Sequence, residues 1–470
     1  MKALKSLCHF TFILAVLGST LTGRMMAQTF KVLHTFTNSP DGAAMSGGLL
    51  LSGNVVYGTT AQGGTFGFGT VFRINSDGTS LTNLHSFTAF SNFINTDGAF
   101  PVAALALSGN VLYGTTIYGG TGGNGTVFQI NTDGTGFTNL HYFTAMVSNT
   151  NSDGSQPNTA LIISGNTLFG TASKGGSLGK GTVFAVNTDG TGFTNLYNFG
   201  VTPSDGSSPE SSLVVSSNIL YGTAAQGGSH SSGIIFSINT NGTGYKILYN
   251  FLSVDFPTSL ILSGNTLYGT AEGGQFTGQD GSVYSFNLTN LVYTSLHDFS
   301  GPDGDQPYSL ILAGNTLYGT TVTGYNTNRG IVFSISTDGT GLKTLYAFTA
   351  TSGTKSTNSD GAFPFTPLVY SGNTLYGMGN KGGLYGAGTI FSLSLPIVLP
   401  QLTIITSDTK VLLTWPTNAT GFTLEFATNL ASPIVWNTDS TAPVIINQQN
   451  VVTNSISGAK IFYRLSQPLP

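Results

Sequence analysis

The sequence predicts an all-β chain: a seven-bladed β-propeller with four-stranded blades, closed by an N-terminal strand, followed by a small β-sandwich. Three observations predict it. One repeat of about 50 residues recurs seven times between residues 30 and 396. Each copy but the last holds four short β-type segments punctuated by Gly, Asn and Asp. The last copy lacks its fourth segment, and a matching segment stands alone ahead of the first copy.

The repeat is defined by Gly-Asn, an apolar pair, then Tyr-Gly-Thr. It occurs at Gly53-Asn54, Gly109-Asn110, Gly165-Asn166, Gly264-Asn265, Gly314-Asn315 and Gly372-Asn373, with a degenerate copy at Ser217-Asn218. The asparagines are spaced by 56, 56, 52, 47, 50 and 58 residues. A second marker, Gly-Thr-Val-Phe or a relative, places an aromatic ring at Phe72, Phe128, Phe184, Phe236, Tyr284, Phe333 and Phe391. A third ends in Leu-aromatic-x-Phe, as in Leu84-His85-Ser86-Phe87.

In the third copy these markers predict strand A at residues 160–164, B at 167–171, C at 182–187 and D at 193–199. Gly165-Asn166 is a two-residue hairpin signal between A and B. Asp189-Gly190 turns C into D. Four strands in about 50 residues is a kelch-type propeller pattern, with no 3.6-residue period competing. The seventh copy reaches Pro396 without a strand D, and Phe30–Phe36 supplies that pattern at the other end of the chain. Its pairing would close a ring and cover two open edges. The connection from D to the next A changes most in length, being short after Phe251 and long after Phe348.

Composition agrees with many short strands. Charged residues are 7% of 470, against 64 Gly, 32 Phe and 19 Tyr, and 40% of the chain is hydrophobic. That apolar content supports a core and argues against disorder. Residues 1–27 read as a secretory signal, with Lys2 and Lys5 ahead of an apolar run from Phe10 to Leu17 that is too short to span a bilayer. The one cysteine, Cys8, lies inside it, so the mature chain has no disulfide or thiolate metal site. Removing Lys2, Lys5 and Arg24 from the 15 basic residues leaves 12 against 19 acidic, a net charge of −7. Without a basic patch, nucleic-acid binding is not expected. The expected product is a secreted or cell-surface monomer with no membrane span, no cofactor and no metal.

The pattern Ser-Gly-Asn-Thr-Leu-Tyr-Gly-Thr, a Gly-Gly loop, Gly-Thr-Val-Phe and Asn-Thr-Asp-Gly-Thr-Gly resembles the GloVer (Gloeo/Verruco) tandem-repeat family. The resemblance implies a secreted bacterial protein, common in verrucomicrobia and often carrying varied C-terminal anchoring modules. It implies no catalytic activity and carries no active-site residues. The fifth copy departs most, with residues 287–291 replacing the Asn-Thr-Asp-Gly-Thr-Gly turn.

Residues 397–400 read as a linker, and 401–470 lack the repeat. Strand candidates there are residues 411–415, 422–426, 434–436, 444–446 and 461–465. The Leu-Thr-Trp-Pro start and Phe-Tyr-Arg-Leu end resemble fibronectin type III-like or immunoglobulin-like modules. Both tryptophans, Trp415 and Trp436, lie here and are expected in its core.

Candidate chemistry is sparse. Asp41, Asp97, Asp153, Asp205, Asp303 and Asp360 precede glycine in the D-to-A connections, where a ring of carboxylates could hold a cation or a hydroxylated ligand. The plainer expectation is that each caps a tight turn. In the fifth repeat Asp255 has no following glycine. The Asn-x-Asp-Gly-Thr-Gly turns lack the downstream acidic ligand of a calcium loop. His34, His85, His141 and His297 share one strand D position with Tyr197, Tyr249 and Tyr346, which points to packing or surface, not zinc or a triad. The B-to-C loops carry the least repetitive side chains, and seven of these are the candidate ligand contacts: Phe66, Phe68, Tyr118, Phe276, Tyr325, Arg329 and Tyr385. Aromatic rings with scattered polar groups suit stacking against sugars. No catalytic residue is assigned, although Glu272 and Asp280 form one conceivable acid–base pair. The expected function is non-enzymatic recognition of an extracellular glycan or protein. The alternatives are a polysaccharide-active hydrolase or lyase and a purely structural surface component.

Overall fold

The computed structural model describes residues 28–202, 204–252, 256–273, 280–324, 326–396, 401–407, 409–417, 422–446, 449–455 and 461–466. The signal segment 1–27, the linker 397–400, and Asp255, Phe276 and Tyr325 lie outside them. Among the described residues every regular element is a strand. None is a helix long and apolar enough to cross a membrane.

Thr29–Ser394 is one compact unit. It contains seven four-stranded antiparallel sheets, taken up one after another along the chain in a propeller-like arrangement. The first sheet is Leu50–Ser52, Val55–Thr60, Thr70–Asn75 and Thr82–Ser86, in that spatial order. The third is Ile162–Ser164, Thr167–Ala172, Thr182–Asn187 and Thr194–Asn198. These match the expected segments of the third copy to within two residues: strand A begins two residues later, B ends one residue later and D is one residue shorter at each end.

Local chemistry explains the hairpins. Gly53 takes φ 57° between the first two strands, and a Cβ there would meet open space. Glycine is therefore used for conformation, not room. Gly58 is used for room. It pairs with Phe72 across the sheet, and a Cβ on it would come within 2.6 Å of Phe72 Cζ. The ring lies over the bare backbone and is fully buried. This Gly–aromatic pair recurs through Gly377–Phe391 in the last sheet. In the fifth sheet the ring is Tyr284, whose buried hydroxyl has no hydrogen-bond partner.

The last sheet is completed from the other end of the chain. Thr29–Thr35 pairs antiparallel with Thr389–Ser394, from Thr29 opposite Ser394 to Thr35 opposite Thr389. Phe30 then stacks on Tyr346 of the sixth sheet at 3.7 Å between ring centroids. The same inter-sheet stack joins His85 to Phe137 at 3.8 Å, His141 to Phe193 at 3.5 Å and Tyr197 to Tyr245 at 3.7 Å. The strand D aromatics thus tie each of these sheets to the next. The seventh sheet also meets the first, where Ala44 N–H donates to Ala387 C=O at 3.3 Å.

The described residues from 401 onward form two further sheets. One orders Thr403–Ser407, Lys410–Pro416, Gln449–Ser455 and Val444–Ile446; the other orders Asn437–Thr438, Thr423–Ala427 and Phe462–Ser466. Val411, Leu413, Trp415, Leu424 and Val452, drawn from both, make one core. Residues 434–436 are not a strand; the strand begins at Asn437, and Gln449–Ser455 is a strand that its polar composition concealed. The tryptophans also part company. Trp415 is buried, whereas Trp436 is half-buried, with the Arg464 guanidinium 4.2 Å from its ring centre.

Candidate functional site

The D-to-A connections and B-to-C loops lie side by side on one end of the sheets. Backbone bridges join Ala43 to Gln62, Ala99 to Tyr118, Ser155 to Lys174 and Ala362 to Lys381. In the longest connections an asparagine two residues before the aspartate adds a clasp. The Asn95 amide donates to Thr88 C=O and Gly98 C=O, and its oxygen accepts from the Gly98 and Gly120 N–H groups. Asn151 and Asn358 repeat this arrangement.

The repeated aspartates and the strand D histidines are partners. His34 Nε2 bonds Asp41 at 3.0 Å, His85 bonds Asp97 at 3.0 Å, His141 bonds Asp153 at 2.9 Å and His297 bonds Asp303 at 2.8 Å. Where tyrosine replaces histidine the hydroxyl donates instead, from Tyr197 to Asp205 at 2.9 Å and from Tyr346 to Asp360 at 2.8 Å. Each carboxylate also accepts backbone N–H groups from its own connection, such as Thr88 to Asp97 and Thr349 to Asp360. Burial opposes charge on Asp97, but the bonds from His85 and Thr88 outweigh it and hold the carboxyl below its ordinary value. Burial, reinforced by Asp205, pushes the Tyr197 and Tyr245 hydroxyls well above theirs.

These carboxylates are committed to strand D donors and to their own connections, Asp205 also to Tyr245 of the next repeat. Among the described residues no group of three or more His, Cys, Asp or Glu could hold a metal ion. The Asn-x-Asp-Gly-Thr-Gly turns are likewise self-contained, with Asp133 accepting from the N–H and hydroxyl of Thr135 at 2.9 and 2.7 Å.

The candidate ligand contacts separate into groups. Phe68 and Tyr118 come together with three rings from the first-to-second connection, Phe90, Phe93 and Phe100. Centroid separations are 4.7 Å for Phe68–Phe90, 5.7 Å for Phe68–Phe100, 5.9 Å for Phe93–Tyr118 and 6.0 Å for Phe100–Tyr118. Gln156 donates to the Tyr118 hydroxyl at 3.3 Å. Phe66 is 50% exposed on the same loop as Phe68, and Phe93 is 59% exposed. Arg329 belongs elsewhere, with its guanidinium 5.1 Å from the Phe363 ring centre and Nε bonded to Thr351 at 2.8 Å. Tyr385 lies exposed beside Leu384 on the seventh sheet's loop. Phe276 and Tyr325 lie outside the described residues. The expectation missed Phe90, Phe93 and Phe100, though one connection holding three phenylalanines was a readable signal.

A groove of about 730 Å³ opens between the third and fourth sheets, lined by Lys180, Thr202, Asp205, Gln226, Ser231 and Phe256. Its one carboxylate, Asp205, is taken by Tyr197, Tyr245 and local N–H groups. Further round, burial, Glu210 and Asp305 push the Glu272 carboxyl up to about 7. Asp280 is raised by burial and by Asp305 and Asp303.

Comparison with known proteins finds similar solved structures at low identity. The oligogalacturonate lyase of Vibrio parahaemolyticus is 9% identical over 79% of this chain and 98% of its own, with a TM-score of 0.49. An oligogalacturonate lyase in complex with manganese is 10% identical over 80% of this chain and 98% of its own, with a TM-score of 0.49. The GH74 enzyme of Niastella koreensis is 15% identical over 83% of this chain and 59% of its own, with a TM-score of 0.48. No curated protein matches the chain. The model of the Gloeobacter/Verrucomicrobia repeat matches residues 18–145, 88–276 and 257–409. Three overlapping matches span the seven four-stranded sheets, and the chain belongs to the Gloeobacter/Verrucomicrobia repeat family.

Proposed function

We propose that this protein is a secreted, monomeric seven-bladed β-propeller with a small fibronectin type III-like or immunoglobulin-like sandwich at 401–470. It acts without catalysis, holding an extracellular glycan or protein against the loop face of the propeller. The observation that carries this reading is the five-ring aromatic set of Phe68, Phe90, Phe93, Phe100 and Tyr118, with Phe93 exposed. Exposed, clustered rings on loops held by a rigid scaffold are a recognition surface, because water leaves them at little cost. A glycan array probed with the protein, and with Tyr118→Ala and Phe93→Ala, tests it. Binding to a glycan that both substitutions weaken at least tenfold is expected. Binding indifferent to both would overturn the loop-face assignment.

A second reading, a polysaccharide-active enzyme, is favoured by Glu272. A carboxyl raised to about 7 is protonated in about half of the molecules at neutral pH and can act as a general acid. That reading expects release of reducing ends from a polysaccharide, lost in Glu272→Gln and falling as pH rises through about 7.

A further inference from the structure

Six D-to-A connections place a non-glycine residue in the left-handed region three positions after the aspartate: Ala44 (φ 53°), Phe100 (57°), Gln156 (58°), Ser208 (53°), Gln306 (57°) and Phe363 (54°). Side chains are strained there, and glycine is not. The backbone explains the conformation. Phe100 N–H donates to Phe68 C=O of the preceding sheet at 3.0 Å, while Phe100 C=O accepts from Ile117 N–H of its own sheet at 3.3 Å. Gln156 does the same with Asn124 and Ser173, Ser208 with Lys180 and Ala225, and Phe363 with Arg329 and Asn380. One residue is thus the seam between two sheets, and the left-handed turn lets its peptide groups serve both.

Glycine would fill this role at every seam with less strain, yet none of the six uses it. The seam residue and its carbonyl partner instead pair different chemistries on one frame. They are Phe100 with Phe68, Gln156 with Asn124, Ser208 with Lys180, Gln306 with Asp280, Phe363 with Arg329 and Ala44 with Ala387. Strain retained where a simpler residue would fit marks a side chain kept for what it presents.

We propose that the seam pairs are the recognition positions of the loop face, and that the seam between the first and second sheets takes a pyranose ring of an uncharged glycan. This rests on the loop-face reading of function and assigns its ligand class. Residues 61–69, 88–101 and 117–125 contain one charged side chain, Asp97, which is buried and bonded to His85 and Thr88. An anionic sugar would lose water there and find no cation, since Lys180 and Arg329 stand at other seams. The C–H faces of a neutral pyranose would stack on Phe93 and Tyr118. The Gln156 amide, already on Tyr118, offers a hydrogen bond to its hydroxyls.

The test uses titration calorimetry with cellohexaose, xylohexaose, laminarihexaose and mannohexaose as neutral probes and trigalacturonate as the anionic one. At least one neutral probe is expected to bind, and trigalacturonate at least tenfold more weakly. Phe100→Gly and Gln156→Gly delete side chains while relieving strain, so binding should weaken tenfold or more. The Gln156→Gly melting temperature should hold or rise. Ser217→Gly, which relieves a φ of 54° in the fourth sheet's A-to-B hairpin, should leave binding unchanged. A lowered melting temperature with unchanged affinity in Gln156→Gly would make the seam side chains packing groups and overturn the proposal. The loop-face reading would survive that result if Tyr118→Ala still weakened binding. Preference for trigalacturonate would overturn the uncharged-sugar assignment, and binding of no glycan would overturn it as well, leaving the loop-face reading with a protein as its ligand.

Discussion

The strand D aspartate clusters and the sheet-to-sheet seams invite comparison, because both recur around the same frame and treat chemistry in opposite ways. In the clusters the backbone and the side chains repeat together. An aspartate accepts from His34, His85, His141 and His297, or from Tyr197 and Tyr346, and the exchange of imidazole for phenol leaves one donor in place. In the seams only the backbone repeats, and Phe68, Asn124, Lys180, Asp280, Arg329 and Ala387 share a carbonyl contact and little else. A buried polar cluster has one satisfactory solution, so it is copied. A seam whose backbone bonds are complete leaves its side chains free to differ. Stability should therefore be lost at the clusters and binding at the seams.

The largest expected effect lies where the ring closes. Deleting residues 29–36 removes the fourth strand of the last sheet, the Phe30–Tyr346 stack and buried Phe36. The loss should be on the order of 5 kcal/mol or more, read as a much lower melting temperature. An unchanged melting curve would mean that the strand contributes nothing to closure.

A smaller loss is expected in the clusters. Asp97→Ala strands the His85 N–H and the Thr88 N–H and hydroxyl, at a cost of about 2–4 kcal/mol in chemical denaturation. Its pH dependence has a definite sign. The folded-state value of Asp97 is lowered, so its contribution is present above the ordinary carboxylate range. That contribution is lost as pH falls through the folded value. The wild-type protein should thus lose its advantage over Asp97→Ala in acid; a constant gap across that range would contradict the assignment.

The smallest effect should run the other way. Tyr284→Phe removes a buried hydroxyl that has no partner and restores the ring used by six of the seven sheets. Stability should stay level or rise by about 1–2 kcal/mol. A clear loss would show that the hydroxyl has a partner, such as a buried water.

Most of the scaffold was legible because its signals are local. Gly53 and its equivalents specify hairpins through φ, and the unpaired Phe30–Phe36 segment announced the closing strand. The His–Asp partnership was not legible, because the separation changes with loop length. It is 7 residues for His34–Asp41, 12 for His85–Asp97 and 6 for His297–Asp303. Two sets that fold into one therefore looked independent. In the aromatic seam, Phe68 and Tyr118 were visible as loop residues that differ between repeats. Phe90, Phe93 and Phe100 were readable as three rings in one connection, but the seam role of Phe100 and Gln156 was concealed, because a left-handed non-glycine residue has no sequence signature of its own. The tail was harder still, since Gln449–Ser455 is polar enough to read as loop.

The division of labour between clusters and seams can be tested in one crossed measurement on Asp360→Asn and Phe100→Gly. Asp360 serves Tyr346 and Thr349 in the sixth-to-seventh connection, away from the aromatic seam. Melting temperature and affinity for the neutral hexaose that binds best are recorded for both. The account predicts a lower melting temperature with unchanged affinity for Asp360→Asn, and affinity down tenfold or more for Phe100→Gly. Equal affinity loss in both variants, or full affinity in Phe100→Gly, would contradict it.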